Sequence, residues 1–238
     1  MKRAERHHLK ENELQRWALE LRKEFESRRR EVTIGLAALL IVGVAVSGYL
    51  VWRGSVASRA QAALAEAMAI QDARVSAPGS PGAPGAYPSE RARQQAAVVK
   101  FKAAADAHPS TDAGVFARYQ QAAGEVALGN LPSAINAYQD VLQHSGSSIY
   151  TQMASLGLAD AQARSGQYDA AINAFKELAQ RKDGPLPVDG ILMQLARTYR
   201  DAGKRADEQQ TLNRIVQEYP DSPFTAEARR ELDALNKT

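Results

Sequence analysis

Two kinds of hydrophobic patterning divide the chain. From Val32 to Trp52 the pattern is unbroken: VTIGLAALLIVGVAVSGYLVW contains no charged side chain. A helix of that length rises roughly 30 Å, the thickness of a bilayer core, so a transmembrane helix is predicted at 32–52. On either side, apolar residues recur at spacings of three and four, the period of an amphipathic helix. In the leader, 1–31, Leu14, Trp17, Ala18, Leu21 and Phe25 share one helical face among charges. After the apolar run, Ser55 to Ala73 is dense in Ala, Leu, Met, Glu and Gln and has no internal Gly or Pro, a strong helix composition. The stretch APGSPGAPGAYP, Ala77 to Pro88, breaks that pattern and predicts a loop. It has too few Gly-x-x triplets for a collagen-like helix, and no lysine follows its glycines as in a phosphate loop. From Ser89 the helical period resumes and persists to the end.

Within that last region the pattern repeats. GQYDAAINAF, Gly166 to Phe175, has a near copy in GNLPSAINAY, Gly129 to Tyr138, 37 positions earlier, and 37 positions later Gly203 opens a third turn. Aligning the three glycines aligns Ala122, Ala159 and Ala196 before the turn. After it, Tyr138, Phe175 and Leu212 align, then Val141, Leu178 and Ile215. Projected backwards, Ala97, Phe101 and Ala104 occupy the places of Ala134, Tyr138 and Val141. Each column has a physical reading. A glycine ends a first helix where positive φ is needed; Ala134 and Ala171 let a second helix pack back closely; the aromatic or leucine four residues on fills the gap. Each unit is a helical hairpin, and since one hairpin cannot bury its own apolar face, neighbours must stack and a terminal helix must cover the last of them. The stretch FTAEARRELDAL, Phe224 to Leu235, suits that cap. Glu208 breaks the tight-alanine column in the third copy.

These columns resemble the tetratricopeptide repeat, with LADAQARSGQYDAAINAFKELAQR, Leu158 to Arg181, as the fullest match. The resemblance implies an all-α solenoid of about three to four hairpins plus a capping helix, preceded by a single transmembrane helix. The predicted organisation is a charged leader at 1–31, a membrane helix at 32–52, and a juxtamembrane helix at 53–76 that forms half of an opening repeat. A loop follows at 77–88, the second helix of the opening repeat at 89–109, repeats at 110–146, 147–183 and 184–222, and a cap at 223–238. Charged leader, single anchor and short outer repeat domain together are similar to the ancillary subunit of the bacterial Sec translocon. The end YPDSPFTAEARREL is also similar to repeats of outer-membrane barrel-assembly and cell-division proteins.

Charge and composition then narrow the reading. The formal net charge is +3, and the leader holds all of it: from Arg53 onward twenty basic residues meet twenty acidic ones. The repeat region therefore has no basic excess with which to bind nucleic acid. Arg28, Arg29 and Arg30 crowd one end of the apolar run, and Tyr49 and Trp52 mark the other. The positive-inside bias thus predicts a cytoplasmic N-terminus and an outward C-terminal domain, and the Sec-subunit resemblance implies that the membrane is the bacterial inner membrane and the outer side the periplasm. Ser55-Val56-Ala57 has the small-x-small form of a cleavage site. The apolar run, however, exceeds the ~7–15 residues of a signal core. Gly43 and Ser47 are spaced for close packing of two such helices as a homodimer, although small residues are common in membrane helices generally. The leader's apolar stripe suits either the membrane surface or a partner helix.

No catalytic pattern is present: the chain has no cysteine, no HExxH, no GxSxG and no Walker loop. No cofactor or metal site is expected, and His7, His8, His108 and His144 suit structural or solvated roles. The tetratricopeptide resemblance instead implies a groove lined by first helices. Its positions fall on Phe116, Tyr119 and Val126, on Met153, Leu156, Asp160 and Arg164, and on Met193, Arg197 and Arg200. Such a surface, apolar at one end and cationic at the other, suits a segment of another protein. Phe116, Leu156 and Met193 suit interhelix core equally well, and the charged positions suit a solvated face. The implied role is protein–protein interaction at the membrane's outer face, in translocon or envelope protein biogenesis. The alternatives are a self-associating structural scaffold or an assembly factor of outer-membrane or division machinery.

Overall fold

The computed structural model describes residues 29–76, 85–146, 149–181 and 185–237. The amphipathic leader and the middle of the Pro/Gly segment lie outside the described residues. The described residues form α1 (Arg29–Gln71), α2 (Glu90–Ala107), α3 (Asp112–Leu128), α4 (Leu131–His144), α5 (Ile149–Arg164), α6 (Tyr168–Gln180), α7 (Val188–Asp201), α8 (Arg205–Glu218) and α9 (Thr225–Leu235). Among them the one extended pairing is an isolated bridge between Val75 and Tyr87. The chain divides into two units, Met1–Ser55 and Val56–Thr238.

In the first unit, α1 is long and apolar enough to cross a membrane, and none of its most apolar stretch is buried by protein. Leu39, Leu40, Ile41 and Val51 point outward, about two thirds or more exposed. A helix satisfies its own backbone hydrogen bonds, which is what lets such a segment sit in hydrocarbon. Gly43 and Ser47 lie one turn apart on its exposed surface. The sequence predicts separate helices at 32–52 and 53–76, whereas Arg29–Gln71 is a single helical element. Gly54 is the weakest helix former between Trp52 and Gln71, and one glycine costs about 1 kcal/mol, too little to end a helix of this length.

In the second unit, Ala60 and Ala67 of α1 are buried. Ala67 packs with Ala97, Phe101, Ala104 and Ala105 of α2 and Ala117 of α3. The Pro/Gly segment leaves and returns at a fixed point: Ser76 N donates to Tyr87 O at 2.9 Å, and Tyr87 N donates to Arg74 O at 2.9 Å. The Arg93 guanidinium adds a bond to Ala73 O at 3.1 Å. The side chain of Ser89 caps α2 and that of Thr111 caps α3, each accepting from an amide three residues on.

The hairpins α3–α4, α5–α6 and α7–α8 turn through the same motif. Gly129, Gly166 and Gly203 have φ of 84°, 82° and 72°, a region closed to most side chains. In each turn the residue after the glycine donates back across six residues: Asn130 N to Glu125 O at 2.9 Å, Gln167 N to Gln162 O at 2.8 Å, and Lys204 N to Tyr199 O at 2.8 Å. The glycine amide makes the shorter bond within, so carbonyls that the helix end would orphan are satisfied. The packing columns are equally regular. Ala122, Ala159 and Ala196 are fully buried, as are Ala134 and Ala171, and the gaps are filled by Tyr138, Phe175 and Leu212. Burying each of these large side chains contributes about 1.5–3 kcal/mol. The helix α9 closes the stack, with Ala228 buried and Leu232 and Leu235 packed on the same core.

Glu208 occupies the tight-alanine place of the third hairpin and is buried. Burial pushes its carboxyl above the usual carboxylate range; Arg200 and Arg205 oppose the rise, and Glu231 and Asp201 reinforce it. A carboxyl raised in the folded state favours the fold while protonated, and that contribution is lost as pH rises through the folded-state value. Glu208→Gln is therefore expected to raise the melting temperature at neutral pH by about 2–4 °C, the shift that ~1 kcal/mol gives at this chain length. The gap from the native chain should close on acidification, read by circular dichroism of both proteins in detergent.

Candidate protein-binding groove

The first helices α3, α5 and α7 lie side by side, α3 against α5 and α5 against α7. Between them opens a cavity of about 450 Å³. From α3 comes Tyr119; from α5, Met153, Leu156, Gly157 and Asp160. From α7 and the turn before it come Leu186, Pro187, Gly190, Ile191 and Gln194, and Phe224 closes the end beside α9. The spacing explains the arrangement: Met153, Leu156, Gly157 and Asp160 recur at three and four along α5, as Pro187, Gly190, Ile191 and Gln194 do along α7, so each set forms one face.

An aromatic ladder runs from the rim of this cavity into the core. The rings of Tyr150 and Phe116 lie 5.4 Å apart, Phe116 and Tyr119 6.4 Å, and Tyr119 and Tyr138 5.9 Å. Tyr138 reaches across α5 because Gly157 stands there: a Cβ on residue 157 would lie 2.4 Å from the Tyr138 ring. Burial pushes the phenols of Tyr119 and Tyr138 upward, so both remain neutral donors. Asp160 is half-buried, and burial raises its carboxyl, with Arg164 opposing the shift from 3.8 Å. Among the described residues no group of three His, Asp or Glu side chains is placed to hold a metal ion.

A family model for the tetratricopeptide repeat-like domain matches residues 26–184, two thirds of the chain, and one for the tetratricopeptide repeat matches residues 191–222. The chain belongs to the tetratricopeptide repeat-like family. No curated protein matches it. Tetratricopeptide domains are typically interaction modules rather than catalysts, and they generally bind other proteins. The matched span takes in α1 as well as the first two hairpins.

Against that frame the ten residues expected on the tetratricopeptide groove separate. Tyr119, Met153, Leu156 and Asp160 line the cavity together. Phe116 stands behind them in the aromatic ladder. Val126 lies elsewhere, packed into the core among α3, α4 and α5. Its carbonyl accepts a bond from Arg164 at 3.4 Å, which ties that arginine to α3. Met193 is fully buried, in a core to which α5, α6, α7, α8 and α9 all contribute. Arg197 and Arg200 do not form a cationic end to the groove. They pair with Glu227 and Glu231 of α9 at 2.7 Å and 3.2 Å and fasten the cap.

The lining that sequence reasoning missed is Gly157 on α5 and, across from it, Gly190 and Gln194 with Leu186, Pro187, Ile191 and Phe224. A signal existed for two of them: 37 positions beyond Met153 and Gly157 stand Gly190 and Gln194. Arg197 and Glu227 are each about one third exposed, so solvent screens the pair. A double-mutant cycle with Arg197→Ala and Glu227→Ala, measured by urea unfolding in detergent, is expected to give a coupling of about 0.5–1 kcal/mol.

Proposed function

We propose that this is a membrane-anchored adaptor whose groove holds segments of other proteins. In this reading α1 fixes the chain in the bacterial inner membrane, the arginines at residues 28–30 keep the N-terminus cytoplasmic, and the repeats work in the periplasm. The partners are translocon components, secretory clients or envelope proteins in assembly. The observation that carries the reading is the apolar cavity between α3, α5 and α7: a volume of about 450 Å³ is in the range of specific ligand sites and admits two or three side chains of a passing segment. Its Met, Leu and Tyr walls suit adaptable apolar contact.

Gly190 allows a direct test. The nearest atoms that a Cβ there would meet belong to Phe224 and Pro187, at 3.5 and 3.8 Å, which is ordinary contact. Gly190→Trp should therefore fill the cavity without unfolding the stack. Capture of partners by the detergent-solubilised full chain is expected to fall about tenfold or more, with a melting temperature within a few degrees of the native chain. Retention of every specific partner at the native level would exclude the groove.

A second reading, self-association as an envelope scaffold, draws on Gly43 and Ser47, which are exposed one turn apart on α1. Sedimentation of the full chain in detergent decides it: Gly43→Ile should dissociate a dimer formed through that face, and a monomeric native chain excludes it.

A further inference from the structure

We propose that the groove selects segments in which one lysine or arginine side chain is flanked by apolar residues, the cation pairing with Asp160. This inference rests on the groove being the binding surface. Asp160 is the one charged residue lining the cavity. Its side chain keeps 41% of its exposure, so a ligand can reach it. Its compensation within the chain is loose. Arg164 stands 3.8 Å away and commits another nitrogen to Val126 O, and among the described residues no other cation lies within 4 Å of the carboxylate. No hydrogen-bond donor to it is found among the described residues either.

Three classes of segment can be compared. A wholly apolar segment would strip the remaining water from Asp160 and offer nothing in return, which is unfavourable for a carboxylate. An acidic segment would bring like charge to Asp160 in a cavity whose lining holds no cation. A basic side chain replaces the lost water with an ion pair and lays its aliphatic stem along Leu156 and the ring of Tyr119, where a cation over the ring gains further. The chain as a whole carries +3, so a preference for cations would come from this carboxylate and not from the overall field.

The groups facing Asp160 are Arg164 on its own helix, Tyr119 on α3 and Tyr138 on α4, while α7 presents the uncharged Gln194. Burial raises Asp160, and a cationic ligand binds its ionised form. Preference for the basic segment is therefore present above the Asp160 pKa and lost as pH falls through it.

The test uses the full chain in detergent and a positional-scanning library of N-acetylated, C-amidated octapeptides. Lysine and arginine should be enriched at one position between aromatic or aliphatic residues. The resynthesised lysine peptide should bind roughly fivefold tighter than its methionine analogue near neutral pH. Asp160→Asn should bring that ratio to about one while the methionine peptide still binds, and acidification of the native chain should lower the ratio in the same direction. Enrichment of uncharged or acidic residues, a ratio unchanged by Asp160→Asn and by acidification, or no binding by any peptide overturns the inference. The groove itself is judged separately. Binding abolished by Gly190→Trp but indifferent to charge overturns this inference alone, whereas binding untouched by Gly190→Trp overturns the groove.

Discussion

The stack depends on how closely its helices can approach. At each hairpin a fully buried alanine, Ala122, Ala159 or Ala196, stands before the turn, and in the first two it is joined by a second-helix alanine, Ala134 or Ala171, so that the backbones come together in a narrow space. The gap one turn further on then has a definite size, filled by Tyr138, Phe175 and Leu212. Native cores are packed to crystal-like density, so a larger residue at one alanine would push apart helices that also contact the next unit. The groove is a by-product of this spacing. First helices held at a constant interval leave a shallow channel, and the extra reach of Tyr138 past Gly157 gives that channel an aromatic floor.

The cap changes the electrostatics of the channel as well as its length. Glu227 and Glu231 sit one turn apart on α9, and Arg197 and Arg200 nearly one turn apart on α7, so the two helices meet through two ion pairs around the buried Ala228. Each pair is partly exposed and individually weak, but their joint effect is to remove two cations from the surface that a ligand meets. Asp160 is then left as the charge that matters. Glu208 is buried where the other hairpins have alanine, and Glu231 of the cap adds like charge to it.

How much of this was legible in the sequence depended on the range of the forces involved. The turn glycines were legible because positive φ is a local demand, met the same way at Gly129, Gly166 and Gly203. The alanine and aromatic columns were legible because they repeat. The face of α7 was not. Leu156 and Met193 occupy the same column, yet the first lines the cavity and the second is sealed in the core. What distinguishes them is long-range packing, since Met193 joins a core drawn from α5 to α9. The roles of Arg197 and Arg200 were hidden for the same reason, since the glutamates that engage them lie 30 and 31 residues away. The continuity of α1 was not legible because the charge that returns at Arg53 marks a change of surroundings, while the helix formers on both sides carry the helix through Gly54.

The short bridge at Val75 and Tyr87 makes the Pro/Gly segment a lariat. Its two ends are clasped by the bonds among Arg74, Ser76 and Tyr87, and Arg93 holds Ala73 just outside the knot. Lengthening the segment between those ends adds a loop-closure cost of about 0.6 kcal/mol for each doubling. Evolution, or an experimenter placing an epitope or a fluorophore, meets at this point two ends that the fold already holds together.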